Sequence, residues 1–430
     1  MTSSECRMDA ASVSAIDDER LDWRFRSVPS SLWGLTIGEA ARLRPDLFNS
    51  GFLAPMVVLD SRALDHNLRT MSDWCAGHGL RLAPHGKTTM APQLFARQVE
   101  AGAWGLTCAT AGHLRIYRAF GVSRIVFANQ LVDPAALRWL ATELERDAGF
   151  EFTCWVDSVR AVELMTEALR DATRPVDVLV ELGADGGRTG VRDEAGALAI
   201  ADAVRKSPAL RLAGTGGYEG ALAHDATARS RDTVAAYLRR LHALTIALAD
   251  SFETEQVIVT AGGSAYFDQI AEELTTGWPA ELPVVPVLRS GAYLTHDDGF
   301  YRRISPLGAH PRITGTPLLR SALRAWAEVT SKPSSELALL TLGKRDISFD
   351  EGLPEPRSYQ RSGVTAELSG HTVTKVNDQH TFLALPPDSP LEVGDRVCFG
   401  LSHPCTVFDK WPLIPLVDGE NVTGFVRTYF

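Results

Sequence analysis

From residue 80 to residue 295 the hydrophobic positions recur in a fixed order: a short apolar run, a polar or glycine turn, then an amphipathic stretch rich in Ala, Leu and Arg. The apolar runs are Leu80–Gly86, Trp104–Thr110, Arg124–Leu131, Glu151–Ser158, Val176–Asp185, Leu210–Gly220, Gln256–Ser264 and Pro286–Thr295. They are apolar at most positions, as parallel strands buried on both faces are. Ala161–Leu169, Glu194–Val204 and Thr233–Leu248 have the spacing of helices between them. Eight alternating units predict an α/β fold, a (β/α)8 TIM-type barrel, with an open doubly wound sheet as the competing arrangement. Past residue 310 the rhythm shortens, and Glu336–Leu342, Val364–Leu368, His371–Val376, Thr381–Leu385, Arg396–Gly400 and Phe425–Phe430 read as strands separated by Gly, Pro or Asp. That pattern predicts a mainly antiparallel β domain.

The expected organisation is an N-terminal extension over 1–53, partly disordered because it opens polar and Ser/Asp-rich. A strand and helix over 54–79 lead into a barrel over 80–305, and the β domain occupies 306–430. The strand Pro55–Asp60 is spare to the eight and is expected to pair with the β domain.

Composition narrows the functional classes. A formal charge of -10 without a basic run argues against nucleic acid or an anionic membrane surface as partner. No apolar stretch reaches the roughly 18 residues a spanning helix needs, and the first residues lack the basic start and apolar core of a secretory signal. The six cysteines are scattered with no Cys-x-x-Cys, so reduced thiols and a cytoplasmic location are expected.

In barrels of this kind the chemistry sits in loops at the carboxyl ends of the strands, and the unusual residues fall there. His85 and Lys87 follow the first strand, Arg188 the fifth and Tyr218 the sixth; Gly262-Gly263-Ser264 follow the seventh, and Gly291 and Tyr293 the eighth. A lysine at such a mouth loses hydration, which depresses its pKa and frees a nucleophilic amine; taken alone, Lys87 would read as a solvated surface lysine. Gly-Lys-Thr also ends a phosphate-loop pattern, but the first glycine of that pattern is Arg81 here. The glycines over 183–190 miss the dinucleotide fingerprint. Gly262, Gly263, Ser264, Gly291 and Tyr293 suit a phosphate site, with backbone amides that can approach a dianion and two hydroxyl donors. In the β domain, His403-Pro404-Cys405 spaces an imidazole and a thiol so that both can face one Zn²⁺. The plain alternative for Cys405 is a small buried hydrophobe. His380 is a further candidate, with a satisfied surface histidine as its alternative.

Taken as a set, Pro-His-x-Lys-Thr, Gly-Gly-Arg-Thr-Gly, Gly-Tyr-Glu-Gly, Gly-Gly-Ser, Arg-x-Gly-x-Tyr and the C-terminal His-x-Cys resemble the fold-type III pyridoxal 5′-phosphate (PLP) enzymes of the D-serine dehydratase and D-threonine aldolase group, relatives of alanine racemase. The resemblance runs from Pro55 to the C-terminus, and the segment from Ser402 to Trp411 looks like bacterial amino acid deaminases of that group. It implies that Lys87 carries PLP, with His85 beside it in the catalytic set. Arg188 would lie near the phenolic oxygen of PLP and Tyr218 near its ring, with Gly262, Gly263, Ser264, Gly291 and Tyr293 on the phosphate. His-x-Cys rather than His-x-Asp places His403 and Cys405 on the dehydratase branch, where a soft thiolate favours Zn²⁺. The implied activity is a lyase reaction, β-elimination from a D-hydroxyamino acid such as D-serine to a 2-oxo acid and ammonia. The alternatives are metal-dependent aldol cleavage of Cα–Cβ and a PLP-carrying regulatory protein without turnover. A homodimer acting on a small D-amino acid is the expected assembly.

Overall fold

The structure, a computed structural model, describes residues 5–430. Its first strand, β1 (Met56–Asp60), stands apart from the eight that follow. These are β2 (Arg81–Leu82), β3 (Leu106–Cys108), β4 (Arg124–Gln130), β5 (Glu151–Val156), β6 (Val176–Leu182), β7 (Leu210–Gly217), β8 (Val257–Ala261) and β9 (Val284–Leu288). They pair in parallel along the path β3-β4-β5-β6-β7-β8-β9-β2. The ends of that path meet. Trp104 N donates to Leu82 O at 2.7 Å, Thr107 N donates to Pro84 O at 2.9 Å, and His85 bridges Thr107 in parallel. The sheet therefore closes as the expected barrel, and its seam lies beside Lys87.

Between strands, short polar side chains start the helices by accepting otherwise unpaired N–H groups of the first turn. Asp60 caps Ser61–Gly77, Thr110 caps Ala111–Ala119, Asp133 caps Pro134–Arg146 and Ser158 caps Val159–Ala168. Each cap fixes where the chain turns away from a strand end, and so fixes the loops that form the mouth.

The second sheet contains β10 (Leu323–Ser334), β11 (Leu337–Leu340), β12 (Glu355–Arg361), β13 (Val364–Glu367), β14 (Thr372–Val376), β15 (Thr381–Ala384), β16 (Arg396–Gly400), β17 (Leu413–Asp418) and β18 (Asn421–Arg427). With β1 they follow the order β13-β12-β16-β10-β1-β17-β18, while β11, β15 and β14 continue from β10. β1 is antiparallel to β10, with Val57 opposite Ala325, and parallel to β17, with Leu59 opposite Leu416. Side chains alternate across a strand. Val57 and Leu59 accordingly join the main core, whereas Met56 and Val58 face a second one.

Residues 1–4 of the extension expected to be partly disordered lie outside the described residues, and much of the rest packs in that second core. Residues 16–52 wrap the outer face of the second sheet, burying Ile16, Leu21, Phe25, Val28, Leu32, Ile37, Leu47 and Phe52 against Trp326, Leu413, Val422 and Phe425, while Cys6, Arg7 and Asp9 lie against the barrel at Phe120 and Ser123. The apolar residues are widely spaced among polar ones, which hides them in an average of composition. Three strands also escaped the sequence pattern: β10 reads Leu-Arg-Ala-Trp-Ala-Glu and has helical composition, β12 is mostly polar, and β17 contains Pro415. The loop between β16 and β17 carries His403 and Cys405 to the carboxyl ends of the barrel strands.

Candidate active site

Lys87 lies in a single 3-10 turn, Gly86–Thr88, immediately after the closing residue His85. Gly86 is required there, because a Cβ would sit 2.2 Å from the Tyr117 hydroxyl and 2.7 Å from the Phe95 ring. Gly291 is required for the same reason, since its Cβ would lie 2.5 Å from the His85 carbonyl oxygen. The first approach packs the Lys87 turn against the Phe95 and Tyr117 side chains, and the second locks it against the segment after β9.

Lys87 enters a cavity of about 400 Å³ whose wall draws on the end of nearly every barrel strand and on the β16–β17 loop. The lysine is reachable from the cavity and surrounded by protein. Burial holds its pKa below that of an ordinary lysine, the charges of Arg188 and Arg289 push the same way, and Cys405 opposes them. His85 is held well below the ordinary histidine value by burial and then by the nearby cations, so it is neutral. Arg289 is buried beside the Trp155 ring at 4.8 Å and donates to Thr260 Oγ1 and Gly217 O, both at 2.6 Å. Burial lowers its pKa only to about 10, partly offset by Glu219, so it stays charged. Arg188 stacks over the Tyr218 ring at 4.7 Å.

Of the expected phosphate donors, Gly262, Ser264 and Gly291 line the cavity. Two expectations need correction. The Gly262 amide donates to Glu219 Oε2 at 2.9 Å and the Gly263 amide to Glu219 Oε1, so a buried carboxylate already takes both amides. Tyr293 points into the core, where its hydroxyl accepts from Gln98 Nε2 at 3.2 Å, because the turn after Gly291 faces Ala292 rather than Tyr293 to the cavity. The tyrosine on the wall is Tyr301, in the short helix Phe300–Ile304; it hydrogen-bonds the Ser264 side chain, and burial raises its pKa well above the usual value.

On the same cavity, His403 adopts a left-handed conformation (φ 60°), which turns its ring and the Cys405 thiol onto the cavity wall. His403 Nδ1 meets Asp350 Oδ2 at 2.7 Å, and the His403 side chain also hydrogen-bonds Cys405. Thr88 Oγ1 is 3.2 Å from Cys405 Sγ, so the Lys87 turn touches the His403 loop directly. Burial works against charge on both groups, yet each charges the other. His403 is pushed up to about 9 by Cys405 and Asp350, and the Cys405 pKa is lowered by His403, Thr88 and Lys87. His380 lies exposed in the β14–β15 turn, away from this cavity.

The residues present fit both groups implied by the sequence. Buried polar atoms at the cavity, His85 Nδ1, His113 Nδ1, Trp155 Nε1 and Arg289 Nε, have no partner among the described residues. With Lys87, Arg188, Arg289 and the hydroxyls of Ser264 and Tyr301, they suit a planar anionic cofactor such as PLP. Among the described residues no three His, Cys, Asp or Glu side chains gather as a metal cage. His403 and Cys405 form a two-ligand pair instead, with Asp350 orienting the imidazole as an outer carboxylate does in metal sites, and leave positions open for a substrate. His113, Trp155, Arg289, Tyr301, Glu219 and Asp350 were not assigned roles from the sequence.

The family model for the alanine racemase N-terminal domain matches residues 59–277, and that described as "Putative serine dehydratase domain" matches residues 322–417. The chain is 29% identical over 335 residues to a D-threonine aldolase from Arthrobacter sp, covering 77% of this chain and 80% of the relative. It is 25% identical over 395 residues to a D-threo-3-hydroxyaspartate dehydratase from Delftia sp. (strain HT23), covering 87% and 96%. The solved structure of D-threonine aldolase from Filomicrobium marinum superposes with a TM-score of 0.72 at 26% identity, over 88% of this chain and 95% of that one.

Proposed function

Because the chain belongs to the fold-type III PLP-dependent enzymes and is a lyase, with an alanine racemase-type barrel joined to a serine dehydratase-type domain, we propose that it catalyses zinc-assisted β-elimination from a D-3-hydroxyamino acid such as D-serine. The observation that carries this reading is that the His403–Cys405 pair and Lys87 line one cavity, with Cys405 against the Lys87 turn. When bound, PLP draws electrons from the bonds at Cα, and zinc makes a β-hydroxyl a better leaving group.

The chain's own residues supply the rest. Lys87 provides the amine that attaches PLP; once displaced by substrate, its depressed pKa leaves a neutral amine to take the Cα proton. Ser264 and Tyr301 offer hydroxyls to the phosphate, and Arg188 and Arg289 supply fixed positive charge for anionic oxygens. His403 and Cys405 hold the metal, with Asp350 keeping the imidazole turned toward it. The Cα–H and Cβ–O bonds break, water leaves, and the released enamine hydrolyses to a 2-oxo acid and ammonia.

D-Threonine tests this directly. We expect 2-oxobutyrate and ammonia, and loss of turnover with a chelator; chelator-insensitive turnover would remove the metal from the mechanism. A second reading, Cα–Cβ cleavage, is favoured by the similarity to a D-threonine aldolase, and the same incubation would then give glycine and acetaldehyde.

No described helix is long and apolar enough to cross a membrane. A free Cys405 as metal ligand suits a reducing compartment, so the cytoplasm is the proposed location. A homodimer is the proposed assembly, supported by exposed Phe349 and Leu353 beside the His403 loop.

A further inference from the structure

One acidic side chain reaches both halves of the cavity without lining it. Asp297 lies between the Gly291 turn and the helix Phe300–Ile304, and is 2% exposed. Its Oδ1 accepts from Gly299 N at 3.0 Å and from Arg302 N at 3.1 Å, which fixes the turn carrying Tyr301. Its Oδ2 accepts from His403 N at 2.9 Å. His403 is one of the few non-glycine residues with positive φ, at 60°. Such a backbone is unfavourable for an L-residue and persists where its surroundings enforce it. The carboxylate supplies that enforcement, since it reaches the strained peptide itself.

The two segments are knitted around this contact. Asp298 N donates to Leu401 O at 2.9 Å, Phe300 N donates to Ser402 Oγ at 3.0 Å, and Ser402 Oγ donates to Glu351 O at 2.7 Å. Gly299 approaches so closely that a Cβ there would lie 2.4 Å from Ser402 Cβ. An ionised carboxylate only accepts hydrogen bonds, and all three of its partners here are backbone donors. No cation among the described residues forms an ion pair with Asp297 at the same time.

We infer that Asp297 is a positioning residue for the metal site: through the His403 amide it holds the imidazole at the angle that lets it share one ion with Cys405, and it ties that angle to the Tyr301 side of the cavity. This rests on the reading of His403 and Cys405 as the zinc pair.

Asp297→Asn is the discriminating change. Its amide oxygen can keep the two bonds to Gly299 and Arg302, while its NH2 would face the His403 N–H, donor against donor. Purified D297N and wild-type protein are compared for zinc affinity by competition with a chromophoric chelator, and for PLP content by absorbance. Loss of an outer partner typically costs about 10–100-fold in metal affinity, and a drop in that range with PLP content unchanged is expected. A purely structural role would lower zinc and PLP retention together and overturn the assignment, as would unchanged zinc affinity. Should D297N fail to fold, Asp297→Ser removes the carboxylate from the His403 amide without setting donor against donor. A fall in zinc affinity with PLP retained is then the expected result, and an unaltered affinity overturns the assignment. Wild-type protein that takes up no zinc would instead overturn the metal reading and this assignment together.

Discussion

Lys87 can act as a nucleophile only while its amine is neutral, so capture of PLP by the apoprotein should quicken as pH rises through its pKa and level off above it. Burial sets that pKa below the ordinary lysine value, and Arg188 and Arg289 lower it further. The plateau is therefore reached at lower pH than for an exposed lysine. Arg188→Gln removes one like charge; the Lys87 pKa should rise, the profile should move to higher pH, and capture near neutrality should slow severalfold. PLP absorbance followed over time across neutral and alkaline pH checks this, and an unmoved profile would show that Arg188 does not tune Lys87. Lys87→Ala should abolish attachment and cost at least ~10²–10⁴-fold in turnover, the usual worth of a positioned base. Lys87, His403 and Cys405 could be singled out in the sequence only as members of a set, because the strand-end positions and the order of the motifs, rather than any one short motif, separate them from a surface lysine and a buried cysteine. Trp155, Arg289 and Tyr301 were not. A tryptophan or arginine ending an apolar strand looks like core or surface, and only barrel closure turns those ends inward. Tyr293 misled because its hydroxyl sits two residues past a cavity glycine, whereas the backbone there turns it toward Gln98.

Among the elements, the N-terminal arm is tied to the second sheet through Arg26. Arg26 lies 3.8 Å over the Trp411 ring, donates to Asp346 Oδ1 at 2.9 Å and to Lys410 O at 3.0 Å, and so braces the segment just beyond Cys405. Asp346 is buried, and burial raises its pKa, with Arg26 the main influence holding it down. Arg26→Ala would leave that carboxylate short of a partner, at a cost of about 1–3 kcal/mol for an unsatisfied buried group. A carboxyl whose folded pKa is raised binds its proton more readily when folded, so its penalty is felt above the folded pKa and fades as pH falls through it. Thermal unfolding should show R26A destabilised near neutrality, with a deficit that narrows under mildly acidic conditions. A deficit constant with pH would assign the loss to packing on Trp411 instead. The eight barrel strands were legible because continuous apolar runs alternating with capped amphipathic helices suit a parallel sheet covered on both faces and little else. β10 was not, since its Ala, Glu and Arg favour a helix locally and only pairing with β1 and β16 makes it a strand. The arm was missed for a related reason: its apolar residues match the outer face of a sheet that the local sequence does not reveal.

Across the whole molecule, Lys87, the lysine proposed to hold PLP, belongs to the barrel, and the proposed metal ligands His403 and Cys405 belong to the β16–β17 loop of the second sheet, so the cavity exists only where the two meet. One contact that joins them at the site is Thr88 Oγ1 to Cys405 Sγ, which links the Lys87 turn to the His403 loop. The overall charge of -10 contrasts with the cationic wall formed by Arg188 and Arg289, a local inversion that favours anionic ligands in this cavity over the rest of the surface. Two ligands held by different elements should stabilise the fold separately. A ligand bound only by the native state at about 100 times its Kd adds ~2.7 kcal/mol, so PLP and zinc should each raise the melting temperature, and their effects should roughly add. In His403→Ala and Cys405→Ala the PLP increment should remain, because Lys87 and the phosphate-side hydroxyls are untouched, while the zinc increment should vanish. An undiminished zinc increment in both variants would place the metal elsewhere and separate the His403 loop from the chemistry at Lys87.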